Sequence, residues 1–135
     1  MNERYMLDTN TASYIIKGTY PAIQNKLITV PMANVCISSV TEAELLFGLA
    51  KKPEASKLKI IVHEFLIRVE ILPWESEAAK SYAHLRCELQ RRGLSLGAMD
   101  MLIAAHSIAA STTLVSNDQA FYKLKTLLAL VDWSI

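Results

Sequence analysis

The sequence predicts an α/β fold in which a mostly parallel sheet is covered by helices on both faces. Three observations predict it. Short apolar runs recur at Tyr5 to Leu7, Val35 to Ile37, Ile71-Leu72, Thr113 to Val115 and Leu130-Val131. Segments of helical periodicity separate them, which is the pattern of strands joined by crossover helices. Gly and Pro number only 4 each while 52% of residues are hydrophobic, as expected of a helix-rich protein with short loops.

Tyr5, Met6 and Leu7 form the first strand, and Asp8-Thr9-Asn10 mark its carboxyl end. A helix over Thr11 to Lys17 follows and closes at Gly18. Pro21 suits the first turn of a second helix, to Leu27, because its missing N–H is not needed there. Pro31 interrupts before the second strand, Val35-Cys36-Ile37, which ends at Ser38-Ser39. A helix from Val40 to Lys51 places Leu45, Leu46 and Leu49 on one face. Pro53-Glu54 reopen a helix reaching Arg68, with Leu58, Ile61, Val62, Phe65 and Leu66 at helical spacing. Ile71-Leu72 is a third strand, stopped by Pro73. Ser76 to Arg92 is the longest helix; it ends at Gly93, with Arg91 and Arg92 where cations complement the helix dipole. Gly97 loosens the entry to a helix from Met99 to Ala110, apolar nearly all round and therefore buried. The strand Thr113-Leu114-Val115, a short helix over Gln119 to Leu124 and the strand Leu130-Val131 complete the chain. No repeat, low-complexity stretch or linker divides it, so residues 1–135 read as a single domain.

With 14 Lys+Arg against 13 Asp+Glu, the net charge of +1 gives no global attraction to nucleic acid. A polyanionic partner would have to be met by a local basic patch or by bound metal ions. Cys36 and Cys87 lack metal-ligand spacing and read as buried or half-buried thiols in a reducing compartment. No leader pattern opens the sequence and no apolar run approaches a membrane span, so a cytoplasmic location is expected.

The acids carry the chemistry. Of four aspartates, three stand beside strand ends or helix starts: Asp8 after the first strand, Asp100 opening the buried helix, and Asp118 after the fourth strand. Glu44 lies in the first turns of the helix after the second strand. If the first and fourth strands are neighbours, the four share a pocket at the carboxyl edge of the sheet, where open parallel sheets bind ligands. Each also has a structural alternative. Asp8 or Asn10 can cap the helix that follows, and Asp118 can cap the short helix after it; with Asn10 or Thr9 as the cap, Asp8 is expected to be free for metal. Thr41 with Glu44, or Ser39 with Glu42, has the spacing of a capping box. Only one of these boxes can be real, and if Ser39 is the cap, Glu44 has no structural role. Asp100 on an apolar helix is harder to explain structurally, since an unpaired buried carboxylate is unfavourable. Converging acids without a basic partner are tolerated mainly around a divalent cation. Magnesium or manganese suits an all-oxygen set and the activation of water for in-line attack on a phosphodiester.

Four segments together resemble one family. They are Met6-Leu7-Asp8-Thr9-Asn10, then Ile37-Ser38-Ser39-Val40-Thr41-Glu42-Ala43-Glu44-Leu45 with Gly48, then Gly97-Ala98-Met99-Asp100 through Ala104-Ala105-His106, and Leu114-Val115-Ser116-Asn117-Asp118 with Phe121. In this order they resemble the PIN-domain ribonucleases, and among these the VapC-like toxins of toxin–antitoxin pairs. The resemblance implies an α/β/α sandwich, metal-binding acids at Asp8, Glu44, Asp100 and Asp118, and supporting polar groups at Asn10 and Ser116. It further implies Mg2+ or Mn2+, an RNA substrate, a homodimer, and an antitoxin whose C-terminal segment covers the acids. Ile15, Ile16, Leu46, Phe47 and Leu49 are candidates for either protein contact. Asp132-Trp133 is similar to the end of a subgroup acting on initiator tRNA. Ala120 stands where many members carry a further acid, which implies one firmly held metal and a second arriving with RNA.

Other chemistries find less support. His63, His84 and His106 are not brought together by anything in the sequence, so acid–base cleavage by a histidine pair is not indicated. Asn10 replaces the second acid that a dehalogenase-like phosphatase needs, and no phosphate-binding glycine loop is present. Lys51-Lys52, Lys57, Lys59 and Arg91-Arg92 read mostly as solvated helix faces, whereas Arg86, near Glu88, is a candidate contact to RNA phosphate. A non-catalytic module that holds RNA or protein is the alternative, and four intact acids argue against it.

Overall fold

In a strand, successive side chains point to opposite faces, so a buried parallel strand must be apolar on both. The computed structural model, which describes residues 3–135, builds its sheet from five strands, the inner three largely buried and the two edge strands partly exposed. They are β1 (Tyr5–Leu7), β2 (Val35–Ser38), β3 (Glu70–Leu72), β4 (Thr113–Val115) and β5 (Leu130–Val131). All pair in parallel, in the order β3-β2-β1-β4-β5. Met6, Cys36 and Leu114 face one side, where they pack with Leu85, Leu89, Ile103, Ala104 and Phe121. Leu7, Val35, Ile37 and Val115 face the other and pack with Ile23, Val69 and Trp133.

The helices are α1 (Thr9–Lys17), α2 (Pro21–Leu27), α3 (Ser39–Ala50), α4 (Ser56–Arg68), α5 (Ser76–Arg91), α6 (Ala98–Ala109) and α7 (Gln119–Tyr122). A single 3₁₀ turn, Met32–Asn34, leads into β2. The α/β fold with helices on both faces is as the alternation predicted, and here the sheet is parallel throughout. The helix α6 is buried from Ile103 to Ser107, as its apolar surface required. Gly18 closes α1 at φ 67°, a left-handed conformation that favours glycine.

Several local expectations are corrected. Helix α1 begins at Thr9 rather than Thr11, because Asp8 itself is the N-cap. Helix α4 begins at Ser56, three residues after Pro53, and α7 stops at Tyr122. Both offsets follow from loop turns whose residues carry acceptable helix propensity, which tertiary packing overrides. On α3, Leu45 and Leu49 turn inward, but Leu46 and Phe47 are exposed, so the predicted face is narrower. Ile61 on α4 is likewise exposed. Cys36 is buried, and burial pushes its thiol up to about 11. Cys87 is exposed rather than buried. Trp133 lies in the core against Tyr5, with ring centroids 5.2 Å apart.

Truncation separates the two kinds of apolar residue. Ile103→Ala, in a fully buried position, is expected to lower the unfolding free energy by about 2–5 kcal/mol. Phe47→Ala, where 62% of the side chain is exposed, is expected to change it by no more than about 0.5 kcal/mol. Urea denaturation of both variants checks the pair.

Candidate active site

The sheet order places β1 between β2 and β4. From β1 the chain moves outward through β2 to β3, then returns to β4 on the other flank. The carboxyl ends of β1 and β4 thus border a topological switch point, the crevice where open α/β sheets hold ligands. Register puts Leu7 opposite both Ile37 and Val115. Asp8 and Ser116 therefore emerge side by side, with Ser38 on the β2 side.

Asp8 is almost fully buried at 2% exposure. Its backbone N–H donates to the Val115 carbonyl at 3.1 Å, which fixes it to β4. Its Oδ1 accepts the Thr11 N–H at 2.8 Å, capping α1. Burial pushes the Asp8 carboxyl above the usual carboxylate range; hydrogen bonds from Ser116 and Thr11 oppose this, and the charge of Asp118 adds to it. Asn10, expected as the cap or as a supporting group, is exposed and makes no side-chain hydrogen bond to an acid. One carboxylate thus caps with one oxygen and leaves the other uncommitted to the helix.

Ser116 joins the neighbouring acid to the same edge. Its Oγ accepts the Asp118 N–H at 3.0 Å, and Asp118 Oδ1 in turn accepts the Ala120 N–H at 2.9 Å as the N-cap of α7. The structural alternative for Asp118 is thus realised. Asp100 is the third residue of α6, in the first turn, where the positive end of the dipole favours an anion. A Cβ at Gly97 would sit 3.6 Å from Asp100 Oδ2, an ordinary van der Waals contact. The Asp100 carboxyl is nevertheless pushed up to about 6, first by burial and then by the charges of Asp118, Asp8 and Glu44. The other three acids thus all act on Asp100.

Glu44 is held from the other side. Thr9 Oγ1 donates to Glu44 Oε1 at 2.5 Å, and Thr9 and Thr41 hydroxyls stand 3.1 Å apart. Because the Thr9 proton goes to the carboxylate, Thr41 is the donor in that second bond. Neither capping box forms. Ser38 caps α3 through Val40 N–H, and Ser39 Oγ accepts the Trp74 N–H at 3.0 Å. The cap is Ser38, one residue earlier, so α3 starts at Ser39 rather than Val40, and the Ser39 hydroxyl is engaged by the Trp74 N–H instead. None of the four acids forms an ion pair among the described residues. Among the described residues, no three His, Cys, Asp or Glu side chains stand close enough to hold an ion unaided.

The remaining candidates separate clearly. His106 is buried, shares a 2.7 Å hydrogen bond with Ser38 Oγ, and is held below the usual histidine range by burial. It is a satisfied core residue, and His63 and His84 are exposed on other helices. Arg86 lies over the Tyr82 ring and donates to its hydroxyl at 2.9 Å, while Glu88 pairs with Arg91 and Arg92 instead. The sequence offers Thr9 and Thr41 only as caps; it does not show the hydrogen-bonded chain from Thr41 through Thr9 to Glu44, or the part played by Thr11. Their only signal there is a run of small hydroxyl residues directly after strand ends.

The model of the PIN domain matches residues 5–127 of the chain. A Rickettsia felis protein, ribonuclease VapC2, is 36% identical across 96% of this chain and 97% of its own length. A tRNA(fMet)-specific endonuclease VapC from Shigella flexneri is 30% identical across 97% of this chain and 98% of its own. Among solved structures, DNA-bound VapBC from Salmonella typhimurium superposes with a TM-score of 0.88 at 30% identity, covering 98% of this chain and 99% of that one.

The repulsion among the acids has a measurable sign. Because the folded-state pKa of Asp100 is raised, the folded protein holds a proton there that the unfolded chain has lost. Stability in chelator therefore falls as pH rises from about 4 through about 6. Asp100→Asn is expected to raise the melting temperature at pH 8 and to leave it unchanged or lower at pH 4. Paired thermal scans in EDTA check this.

Proposed function

The chain belongs to the PIN-domain family, and from that premise we propose that it is an endoribonuclease, the toxin of a toxin–antitoxin pair, cutting RNA with the aid of a divalent metal. The observation that carries the metal is the state of Asp100, pushed up to about 6 by burial and three other carboxylates that no cation balances. The donor set is all oxygen, which fits magnesium or manganese. Asp8 and Asp100 are the ligands, with Glu44 and Asp118 completing the acidic ring. That no three acids suffice unaided agrees with an ion that retains water and takes oxygen from substrate phosphate. When bound, such an ion supplies Lewis-acid chemistry, neutralising phosphate charge and lowering the pKa of water.

The protein's own groups do the rest. Asp8 is immobilised by β4 and by its cap bond, so its remaining oxygen presents a fixed anion to the crevice. Ser116 orients Asp8 and the backbone of Asp118 together. Thr9 and Thr41 hold Glu44 against its neighbours' repulsion. In-line attack by water gives 5′-phosphate and 3′-hydroxyl ends and needs no 2′-hydroxyl nucleophile. The substrate we propose is tRNA, supported by the similarity to the tRNA(fMet)-specific endonuclease, and the place of action the cytoplasm, where tRNA resides. Among the described residues no helix is long and apolar enough to cross a membrane. The partner is the cognate antitoxin, supported by the likeness to VapBC structures. An apolar groove lined by Ile15, Ile16, Leu27, Met32 and Ile61 supports its docking, and exposed Leu46 and Phe47 support a homodimer contact.

Incubating the protein with total tRNA and Mg2+, then sequencing new ends against an Asp100→Ala control, tests the reaction. Cleavage is expected to vanish in EDTA and to fall by about 100-fold or more in Asp8→Asn, against about 10- to 100-fold for the supporting variant Ser116→Ala. Because a proton competes with the ion at Asp100, cleavage is also expected to fall as pH drops through about 6. Cyclic 2′,3′-phosphate products, or cleavage surviving both EDTA and Asp8→Asn, would reject the metal mechanism.

A further inference from the structure

We propose that a lysine-lined cleft between α1, α3 and α4 is a phosphate-backbone subsite, seating the phosphodiester next to the scissile one in a single-stranded RNA segment. This rests on the assignment of the acids to RNA cleavage. The cleft has a volume of about 250 Å³, and Thr9 and Glu44 form part of its wall, so it opens directly off the acidic ring. Leu45, Leu49, Leu58 and Val62 give it an apolar lining.

Lys17, Lys51 and Lys52 also line the cleft. Among the described residues none of the three forms an ion pair, a state they share with Lys57 and Lys59, so what sets them apart is their place on one cavity. The Lys51 ammonium stands 4.8 Å from the centre of the Phe47 ring, itself exposed. Helix dipoles account for Lys17 in the last turn of α1 and Lys51 at the end of α3. They do not account for Lys52, which lies beyond the helix, or for the convergence of three cations on one cavity.

Gly48 supplies an independent observation. It lines the same cleft in the last turn of α3, although glycine is a poor helix former. Its φ is not left-handed, and a Cβ there would meet no heavy atom within 4 Å. The missing side chain relieves neither strain nor a clash; it leaves the cleft open. A basic groove that tracks the backbone is how single strands are held without base readout. Continuity with the acids makes the occupant the strand being cut, rather than an acidic protein segment.

The test measures binding of a fluorescent single-stranded RNA oligonucleotide in Mg2+ across a salt series, on an Asp100→Asn background that prevents cleavage. Each of Lys17→Gln, Lys51→Gln and Lys52→Gln is expected to reduce the slope of log affinity against log salt by about 0.7, and Lys59→Gln, outside the cleft, to leave it unchanged. Gly48→Glu is expected to weaken binding by about tenfold or more with the melting temperature at or above that of the parent. Unchanged slopes in all three lysine variants, with Gly48→Glu binding as tightly as the parent, overturn the subsite. Variants that keep the RNA slope but no longer co-purify with the cognate antitoxin assign the cleft to that protein and overturn it too. RNA cleavage by the unmodified protein is assayed alongside: its absence counts against the enzymatic assignment, whereas cleavage with unchanged slopes counts against the subsite alone.

Discussion

Mutual repulsion of four carboxylates at one edge of the sheet is the constraint on which the rest of the site depends. A fold that gathers Asp8, Glu44, Asp100 and Asp118 must hold each in place against the others, and each is held differently. Asp8 and Asp118 are tied to backbone N–H groups as helix caps. Asp100 rests in the first turn of α6, and Glu44 accepts a threonine hydroxyl. Helix starts stabilise a nearby anion by about 0.3–1 kcal/mol, reaching about 2 in partly buried settings. That is not enough to return Asp100 to an ordinary carboxylate, as its pKa near 6 records. Among the described residues no side-chain ion pair offsets that repulsion, which is the basis on which a divalent cation is proposed there.

Parallel topology explains why the acids meet. Every parallel strand ends at the same edge, so each β-to-α connection begins there. Asp8 and Asp118 cap the helices that follow β1 and β4, the pair bordering the switch point. Capping and metal binding, which look like competing roles for an acid, are compatible here because a carboxylate has two oxygens. A cap bond removes the rotational freedom that a flexible ligand would lose on binding, and so preorganises the site.

How much of this was legible in the sequence follows from the range of each interaction. The strands and buried α6 were legible because apolar burial leaves a periodic signal, as in Val35-Cys36-Ile37 and the run after Asp100. The placement of Asp8 and Asp118 just after strand ends, and of Asp100 at a helix start, was legible from the apolar runs that precede or follow them. Caps were not: Ser38, Ser39 and Thr41 are chemically equivalent candidates, and the choice turned on the Trp74 backbone 35 residues away. The hydrogen bond of Thr9 to Glu44 spans the same separation. The sequence pattern set no register between α1 and α3, so neither this contact nor the lysines around Gly48 could be assigned to a common surface.

A net charge of +1 concealed that surface, because opposite charges are segregated rather than absent. Acids occupy the switch point, and unpaired lysines occupy the cleft beside it. A phosphodiester strand meets attraction along the cleft and repulsion over the acids, so without a cation it is held adjacent to the reacting position and not within it. In the proposed mechanism a divalent ion would reverse the sign at the acids alone and leave the lysines as they are. Backbone affinity and cutting would then depend on different residues: salt would weaken the first through the exposed lysines, and a proton on Asp100, whose carboxyl is pushed up to about 6, would oppose the second.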